Sequence, residues 1–300
     1  MQEIARPRSE STFRDLLEAA RPQQWIKNLL LLAPLLFAKK LRDETRVEEA
    51  LVAFCIFCAL STSIYLLNDL ADRERDRKHP VKCRRPIASG RLGFPLVVAV
   101  ITILLVAGLV AATLLSPPFA AVSAAYVLMN VAYSFALKEV VILDVMIIAF
   151  GFVLRALGGA LAIDVEISPW LILCTILLSL FLAFSKRRKE LQLLALDASD
   201  HRATLKDYSV PFLDQMISIT TAATLVCYSF YTISPEVEEK LGSRHLFLTI
   251  PFVLYGIFRY LYLVHQRGEG DNPASSLLTD RPLLICVALW ACAVALILYT

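Results

Sequence analysis

Apolar residues fall along the chain in runs close to bilayer thickness, parted by short polar clusters. A hydrocarbon core of ~30 Å takes about 20 residues of helix to cross, so runs of that order bounded by charge or proline predict membrane spans. About nine qualify: Gln24 to Ala38, Val47 to Leu70, Phe94 to Leu115, Phe119 to Ala136, Val140 to Ile163, Trp170 to Ser185, Phe212 to Ser234, Leu246 to Val264 and Leu283 to Tyr299. Pro169, Pro211 and Pro282 stand where helices should begin, whereas Pro34 and Pro251 lie inside runs and predict kinks. The expected architecture is all-α and polytopic, a single transmembrane unit over residues 1–300. A polar N-terminal segment (1–23) and two long polar loops (71–93 and 186–211) accompany it.

Composition agrees with an integral membrane chain. Of its residues 57% are hydrophobic and 19% charged, a balance that excludes a soluble globular protein. Thirty Lys and Arg against 27 Asp and Glu leave a net charge of +3, which excludes a nucleic-acid-coating protein and an acidic disordered one alike. Six of the seven cysteines lie in apolar runs, the Cys55-x-x-Cys58 pair included, so neither a disulfide framework nor a metal site is expected from them. The first 23 residues hold no apolar stretch followed by a small-residue cleavage site, and no cleavable signal peptide is expected.

Alternate loops share the cations unevenly, 22 on the N-terminal side against six (Lys39, Lys40, Arg42, Arg46, Lys240 and Arg244) on the other. By the positive-inside rule the N-terminus and the two long loops face the cytoplasm, and an odd number of spans places the C-terminus outside. The site of function is therefore expected at the cytoplasmic face of the membrane. Arg155 and Arg259 stay within spans and are expected to serve as structural partners, with Gly158-Gly159 beside Arg155 marking close helix packing.

Chemistry gathers where the second span ends. Asn68, Asp72 and Asp76 stand at i, i+4 and i+8, one turn apart on one face of a continuing helix. Such a row of hard oxygens suits Mg²⁺, which takes one or two carboxylates and leaves positions for the oxygens of a phosphorylated ligand. Taken alone, with Arg73, Arg75 and Arg77 between the acids, the row also reads as a solvated helix end. Downstream, Lys82, Arg84 and Arg85 lead into Pro86-Ile-Ala-Ser-Gly90, and carboxylates for a metal beside guanidiniums for phosphate are what a diphosphate site needs. Lys27 and Asn28, Tyr65, Asp69, Tyr133 and Lys138, Asp144, and Lys186, Arg187 and Glu190 lie at the same ends of their spans and would ring one cavity.

At these motifs the sequence resembles the UbiA-type membrane-embedded transferase superfamily, most closely its decaprenyl-phosphate phosphoribosyltransferase branch. The matching pieces run from Arg21-Pro-Gln-Gln-Trp-Ile-Lys-Asn28 through Tyr65-Leu-Leu-Asn-Asp-Leu-Ala-Asp72 and Asp76, Arg84-Arg-Pro-Ile-Ala-Ser-Gly90, Tyr133-Ser-Phe-Ala-Leu-Lys138 and Arg155-Ala-Leu-Gly-Gly159 to Lys186-Arg-Arg-Lys-Glu-Leu191. The resemblance implies helices around a central cavity open to the cytoplasm and laterally to lipid. It implies Mg²⁺-dependent transfer of phosphoribose from 5-phosphoribosyl 1-diphosphate to a polyprenyl phosphate. It gives the metal role to Asn68, Asp72 and Asp76 and diphosphate binding to Lys138 and Tyr133.

One departure separates the branches. Prenyltransferases of the superfamily usually carry a second Asp-rich motif near the end of the sixth helix, where this chain has Lys186-Arg-Arg-Lys-Glu190, a poor second metal site and a good phosphate site. Attachment of a prenyl chain to an aromatic acceptor is the alternative. A transporter is disfavoured, because no inverted repeat is evident and the charges cluster at one face rather than the midplane. An acceptor phosphate is already anionic, so no general base is expected. That agrees with a chain whose four histidines are His79, His201, His245 and His265, of which only His79 is near the row of acids.

Overall fold

Among the described residues, eight helices long and apolar enough to cross a membrane carry the architecture, and the chain is an integral membrane protein. The structure, a computed structural model, describes residues 8–194, 203–268 and 273–299; part of the expected loop 186–211, with His201, lies outside the described residues. In chain order the helices are α1 (Arg8–Ala20), a 3₁₀ segment (Pro22–Leu32) running into α2 (Ala33–Phe37), α3 (Glu44–Ala71), α4 (Arg73–Lys78), α5 (Phe94–Leu115), α6 (Pro117–Phe135), α7 (Leu143–Ala162), α8 (Pro169–Leu194), α9 (Val210–Ile233), α10 (Pro235–Leu241), α11 (Ile250–Gln266), α12 (Pro273–Thr279) and α13 (Arg281–Tyr299). Among the described residues there is no β-strand.

The first expected span is mostly 3₁₀ rather than α-helix. Arg21 takes a left-handed conformation (φ 52°) before Pro22, and eleven residues of 3₁₀ helix follow, far longer than the usual single turn. The two prolines expected to kink their helices instead mark where 3₁₀ gives way to α, Pro34 at the start of α2 and Pro251 at the start of α11. A proline without an N–H loses nothing in the first turn of an α-helix, which is why the transition falls there.

Helix α8 corrects the expected loop boundary. It continues nine residues past Ser185, to Leu194, so Lys186 to Glu190 are helical rather than loop. Lys, Arg, Glu, Leu and Gln all favour helix, and Arg187 and Glu190 pair across one turn there. The 71–93 segment is likewise ordered, through α4, a 3₁₀ turn at Lys82–Arg84 and a turn closed by Leu92 N–H donating to Pro86 O at 3.0 Å, with Gly90 at φ 80°. Buried Ile87 and Leu92 pack on Leu66 and Ala19, fastening this turn to α3 and α1.

Leu31, Phe57, Leu60, Ile64, Phe119 and Tyr126 form the core where the 3₁₀ segment, α3, α6 and α7 meet. Gly159 of α7 touches the 3₁₀ backbone so closely that a Cβ would stand 2.1 Å from Leu31 O. The expected close packing at Gly158-Gly159 is thereby met, and it seats the segment carrying Lys27 and Asn28 against α7. Arg259 pairs with Asp280 through two hydrogen bonds, at 3.1 and 2.8 Å, tying α11 to the start of α13.

Candidate active site

The loop-rich end of α3 shapes the site. Asp72 N donates to Asn68 O (2.9 Å) and Asp76 N to Asp72 O (2.8 Å), so helical hydrogen bonding carries across the junction of α3 and α4. Asn68, Asp72 and Asp76 thus keep the one-turn spacing expected of them.

Cations meet this row from three directions. Lys138, in the 3₁₀ turn after α6, donates to Asp72 Oδ1 at 2.7 Å. Arg85 donates from one nitrogen to Asp76 Oδ2 (2.7 Å) and to Asp69 Oδ1 (2.9 Å). Arg21 approaches Asp69 from the other side, its Nη2 at 2.5 and 2.7 Å from the two oxygens, and stacks over Tyr65 with 5.8 Å to the ring centroid. Asp69 and Asp76 are buried, while Asp72 and Asn68 are half-buried, and Asn68 has no side-chain hydrogen bond among the described residues. Next to Asp72, the buried Nε of Arg73 also lacks a partner.

The donor set fits Mg²⁺. No three His, Cys, Asp or Glu side chains among the described residues would hold a metal by themselves. Asn68 together with one oxygen each of Asp72 and Asp76 not engaged by Lys138 or Arg85 would supply hard ligands, leaving the remaining positions to water and to substrate, as Mg²⁺ prefers. Carboxylates facing cations in this way suit a metal diphosphate better than a lone metal ion.

A second cluster lies where α7 begins and α8 ends. Asp144 and Arg187 are almost fully buried; Arg187 Nε donates to Asp144 Oδ2 at 2.8 Å, Nη1 reaches Glu190, and Nη2 is 3.5 Å from Tyr133 OH. Tyr208 closes the cluster, donating to Asp144 Oδ1 (2.8 Å) and accepting from the Ile142 N–H (2.7 Å). Burial pushes the Tyr208 phenol above its ordinary pKa, so it remains a donor. Ile142 has φ 68° and ψ −45°, a strained conformation for a β-branched residue, and the turn that leads into it carries Lys138.

Of the residues singled out in the sequence, Asn68, Asp69, Asp72, Asp76, Arg85 and Lys138 come together directly, with Tyr65 behind them. Tyr133, Asp144, Arg187 and Glu190 form the neighbouring cluster, with Lys186 Nζ 3.9 Å from Glu190. Arg84 stays apart, exposed, with its carbonyl accepting from Arg91 (2.7 Å). Lys27 and Asn28 lie deeper, beside Arg155, which meets the expectation that Arg155 has a structural partner: it donates to Asn28 Oδ1 at 2.8 Å. Arg21, Tyr126 and Tyr208 were not foreseen as site residues. Arg21 carried a faint signal, a cation before a proline at the mouth of a span, but nothing in sequence tells such a residue from a topology determinant. Tyr208 carried none.

The UbiA prenyltransferase family matches residues 30–279 of the chain. Over its full length the chain is 34% identical to the decaprenyl-phosphate phosphoribosyltransferase of Mycolicibacterium smegmatis, covering 98% of that protein. It is 30% identical to the protein of the same name from Corynebacterium glutamicum, over 95% of this chain and 86% of the relative. Among solved structures, a UbiA homolog from Archaeoglobus fulgidus bound to GPP and Mg²⁺ superposes with a TM-score of 0.69 over 95% of this chain and all of that one. At 17% identity that likeness is one of fold.

Proposed function

The chain belongs to the UbiA prenyltransferase family, and from that premise we propose that it is a membrane-embedded transferase moving 5-phosphoribose from 5-phosphoribosyl 1-diphosphate to a polyprenyl phosphate. The observation that supports this reading is the meeting of Asn68, Asp72 and Asp76 with Lys138 and Arg85 at one end of the bundle, in a chain similar throughout to decaprenyl-phosphate phosphoribosyltransferases. The uneven loop charges support the reading that this end faces the cytoplasm, in a bacterial inner membrane.

In the reaction an acceptor phosphate oxygen forms a bond to ribose C1 while the bond from C1 to the diphosphate oxygen breaks, its electron pair leaving with diphosphate. The attacking oxygen is already ionised near neutral pH, so no side chain has to remove a proton. Asn68, Asp72 and Asp76 would hold Mg²⁺, which when bound supplies positive charge to the leaving diphosphate. Lys138 and Arg85, ion-paired to the acids in the structure, would turn toward the diphosphate oxygens and keep them in place. Tyr208 and Asp144 hold the turn behind Lys138 and the guanidinium of Arg187. The acids near the end of α8 are committed, Glu190 and Asp144 to Arg187 and Asp214 to Arg188. That supports a phosphoribosyl donor over a prenyltransferase arrangement with two metal-binding motifs.

The test is a membrane assay with radiolabelled 5-phosphoribosyl 1-diphosphate, Mg²⁺ and a polyprenyl phosphate, counting label extracted into the lipid phase. Label is expected, and it should vanish with EDTA and in Asp72→Ala and Asp76→Ala variants that still fold in detergent. Full activity in both variants would refute the metal assignment, and a ribose-free product formed from prenyl diphosphate would establish aromatic prenylation instead.

A further inference from the structure

Among the described residues, Arg155 and Lys27 inside the bundle meet no counter-charge. Arg155, 5% exposed in the middle of α7, donates to three neutral groups: Asn28 Oδ1 (2.8 Å), Gly151 O (2.8 Å) and Tyr126 OH (2.9 Å). Its guanidinium also faces the Tyr126 and Phe152 rings, 4.8 and 5.5 Å from their centroids. Among the described residues no carboxylate touches it, and part of its donor fork stays uncommitted. Lys27, half-buried next door, has no hydrogen bond or ion pair among the described residues, and the charges bearing on its ammonium are those of Lys186, Arg155 and Arg21, all positive.

This contrasts with the row of acids, where Lys138, Arg85 and Arg21 each meet a carboxylate. An unpaired charge inside a membrane bundle is costly, and two of one sign held side by side favour a ligand of the other. The position follows from α3. Asn28 Nδ2 donates to Ser61 Oγ (3.1 Å) and lies 3.4 Å from Cys58 Sγ. Ser61 lies two helical turns, about 10 Å, from Asn68 toward the membrane interior, on the face shared by Tyr65, Asn68 and Asp72. The cations and the metal row therefore stand at two levels along α3, about 10 Å apart.

We propose that Lys27, with Arg155 behind it, forms a second phosphate subsite that takes the phosphate monoester of the acceptor lipid. The identity of that lipid rests on the phosphoribosyl-transfer reading; the subsite rests on the unpaired cations. Depth favours the acceptor, whose phosphate is tethered to a chain dissolved in the membrane. A donor bound through its diphosphate at the row of acids would then present C1 toward an acceptor phosphate held below it. Arg155 acts by fixing the Asn28 amide and adding charge, and Lys27 makes the contact.

The test uses the full-length protein in detergent and the variants Lys27→Gln and Lys27→Arg. Equilibrium binding of a short-chain polyprenyl phosphate is compared with that of the matching polyprenol. The wild type should prefer the phosphate by roughly tenfold or more, Lys27→Gln should reduce the preference to about twofold, and Lys27→Arg should retain it. In steady state Lys27→Gln should raise the KM for polyprenyl phosphate about tenfold and leave that for 5-phosphoribosyl 1-diphosphate within about twofold. A rise confined to the donor KM would give the cations to the donor's 5-phosphate and overturn the assignment. Unchanged binding and kinetics would overturn the subsite itself. Phosphate-dependent binding lost in Lys27→Gln, with no ribosylated lipid formed by the wild type, would uphold the subsite and refute the transfer reading.

Discussion

Substituting Gly159 by alanine tests the packing that seats the site. Its Cβ would stand 2.1 Å from Leu31 O, 2.7 Å from Leu31 C and 2.8 Å from Leu31 Cα. Carbon reaches ordinary contact at about 3.5 Å, so the 3₁₀ segment and α7 would have to separate by about 1 Å. All three obstructing atoms belong to backbone, and no rotamer change relieves them. Overpacking of this kind costs ~1–3 kcal/mol. Separation by about 1 Å would also stretch the 2.8 Å bond from Arg155 to Asn28 beyond hydrogen-bond range. Gly158→Ala is the control, because its Cβ would meet only the side chains of Phe57 and Phe119, at 3.4 to 3.5 Å. In detergent, Gly159→Ala should melt well below the wild type and lose most transfer activity, while Gly158→Ala stays close to the wild type in both. Wild-type melting and turnover in Gly159→Ala, or equal damage from the two substitutions, would refute the reasoning.

Two further outcomes follow from hydrogen bonds at the loop ends. Tyr208→Phe leaves the strained Ile142 N–H without its acceptor and Asp144 Oδ1 without its donor, at a cost of ~1–3 kcal/mol; it should lower the melting temperature and raise the KM for the phosphoribosyl donor, and an unchanged KM would separate this clamp from the Lys138 turn. Asp280 is held below the usual carboxylate pKa, chiefly by hydrogen bonds from Arg259 and also by the Leu283 N–H. Because its folded-state pKa is depressed, the stabilisation it gives is present above the unfolded value of about 3.9 and is lost as pH falls through the folded one. Asp280→Asn should therefore be less stable than the wild type at neutral pH, with the gap closing in acid; a gap of constant size across pH would contradict the ion pair as its cause.

The membrane architecture and the row Asn68, Asp72 and Asp76 could be read from order along the chain. Bilayer thickness sets the length of an apolar run, and helical periodicity sets which residues share a face, so both are local properties. The partners of the acids were only half legible. Arg85 and Lys138 stood out as cations near the row, but the sequence offered no reason to place Arg85 between Asp69 and Asp76, or Lys138 rather than Arg84 on Asp72. Positive-inside bias scatters cations at every cytoplasmic span end, and those that order a site look the same as those that only orient the chain.

What the sequence determined by itself was the solvent of this protein, the approximate number and ends of its spans, and the presence of an acid-lined, cation-rich end. What only the tertiary structure decided was which charges neutralise one another and which are left over. Asp144 meets Arg187 and Tyr208 across 43 and 64 residues, and Arg155 meets Asn28 across 127. Contacts of that separation depend on how helices cross and how closely backbones approach, as at Gly159 and Leu31. The surplus positive charge at Lys27 and Arg155 appears only once the acids have taken Arg21, Arg85, Lys138 and Arg187 as partners, and that depends on the whole fold.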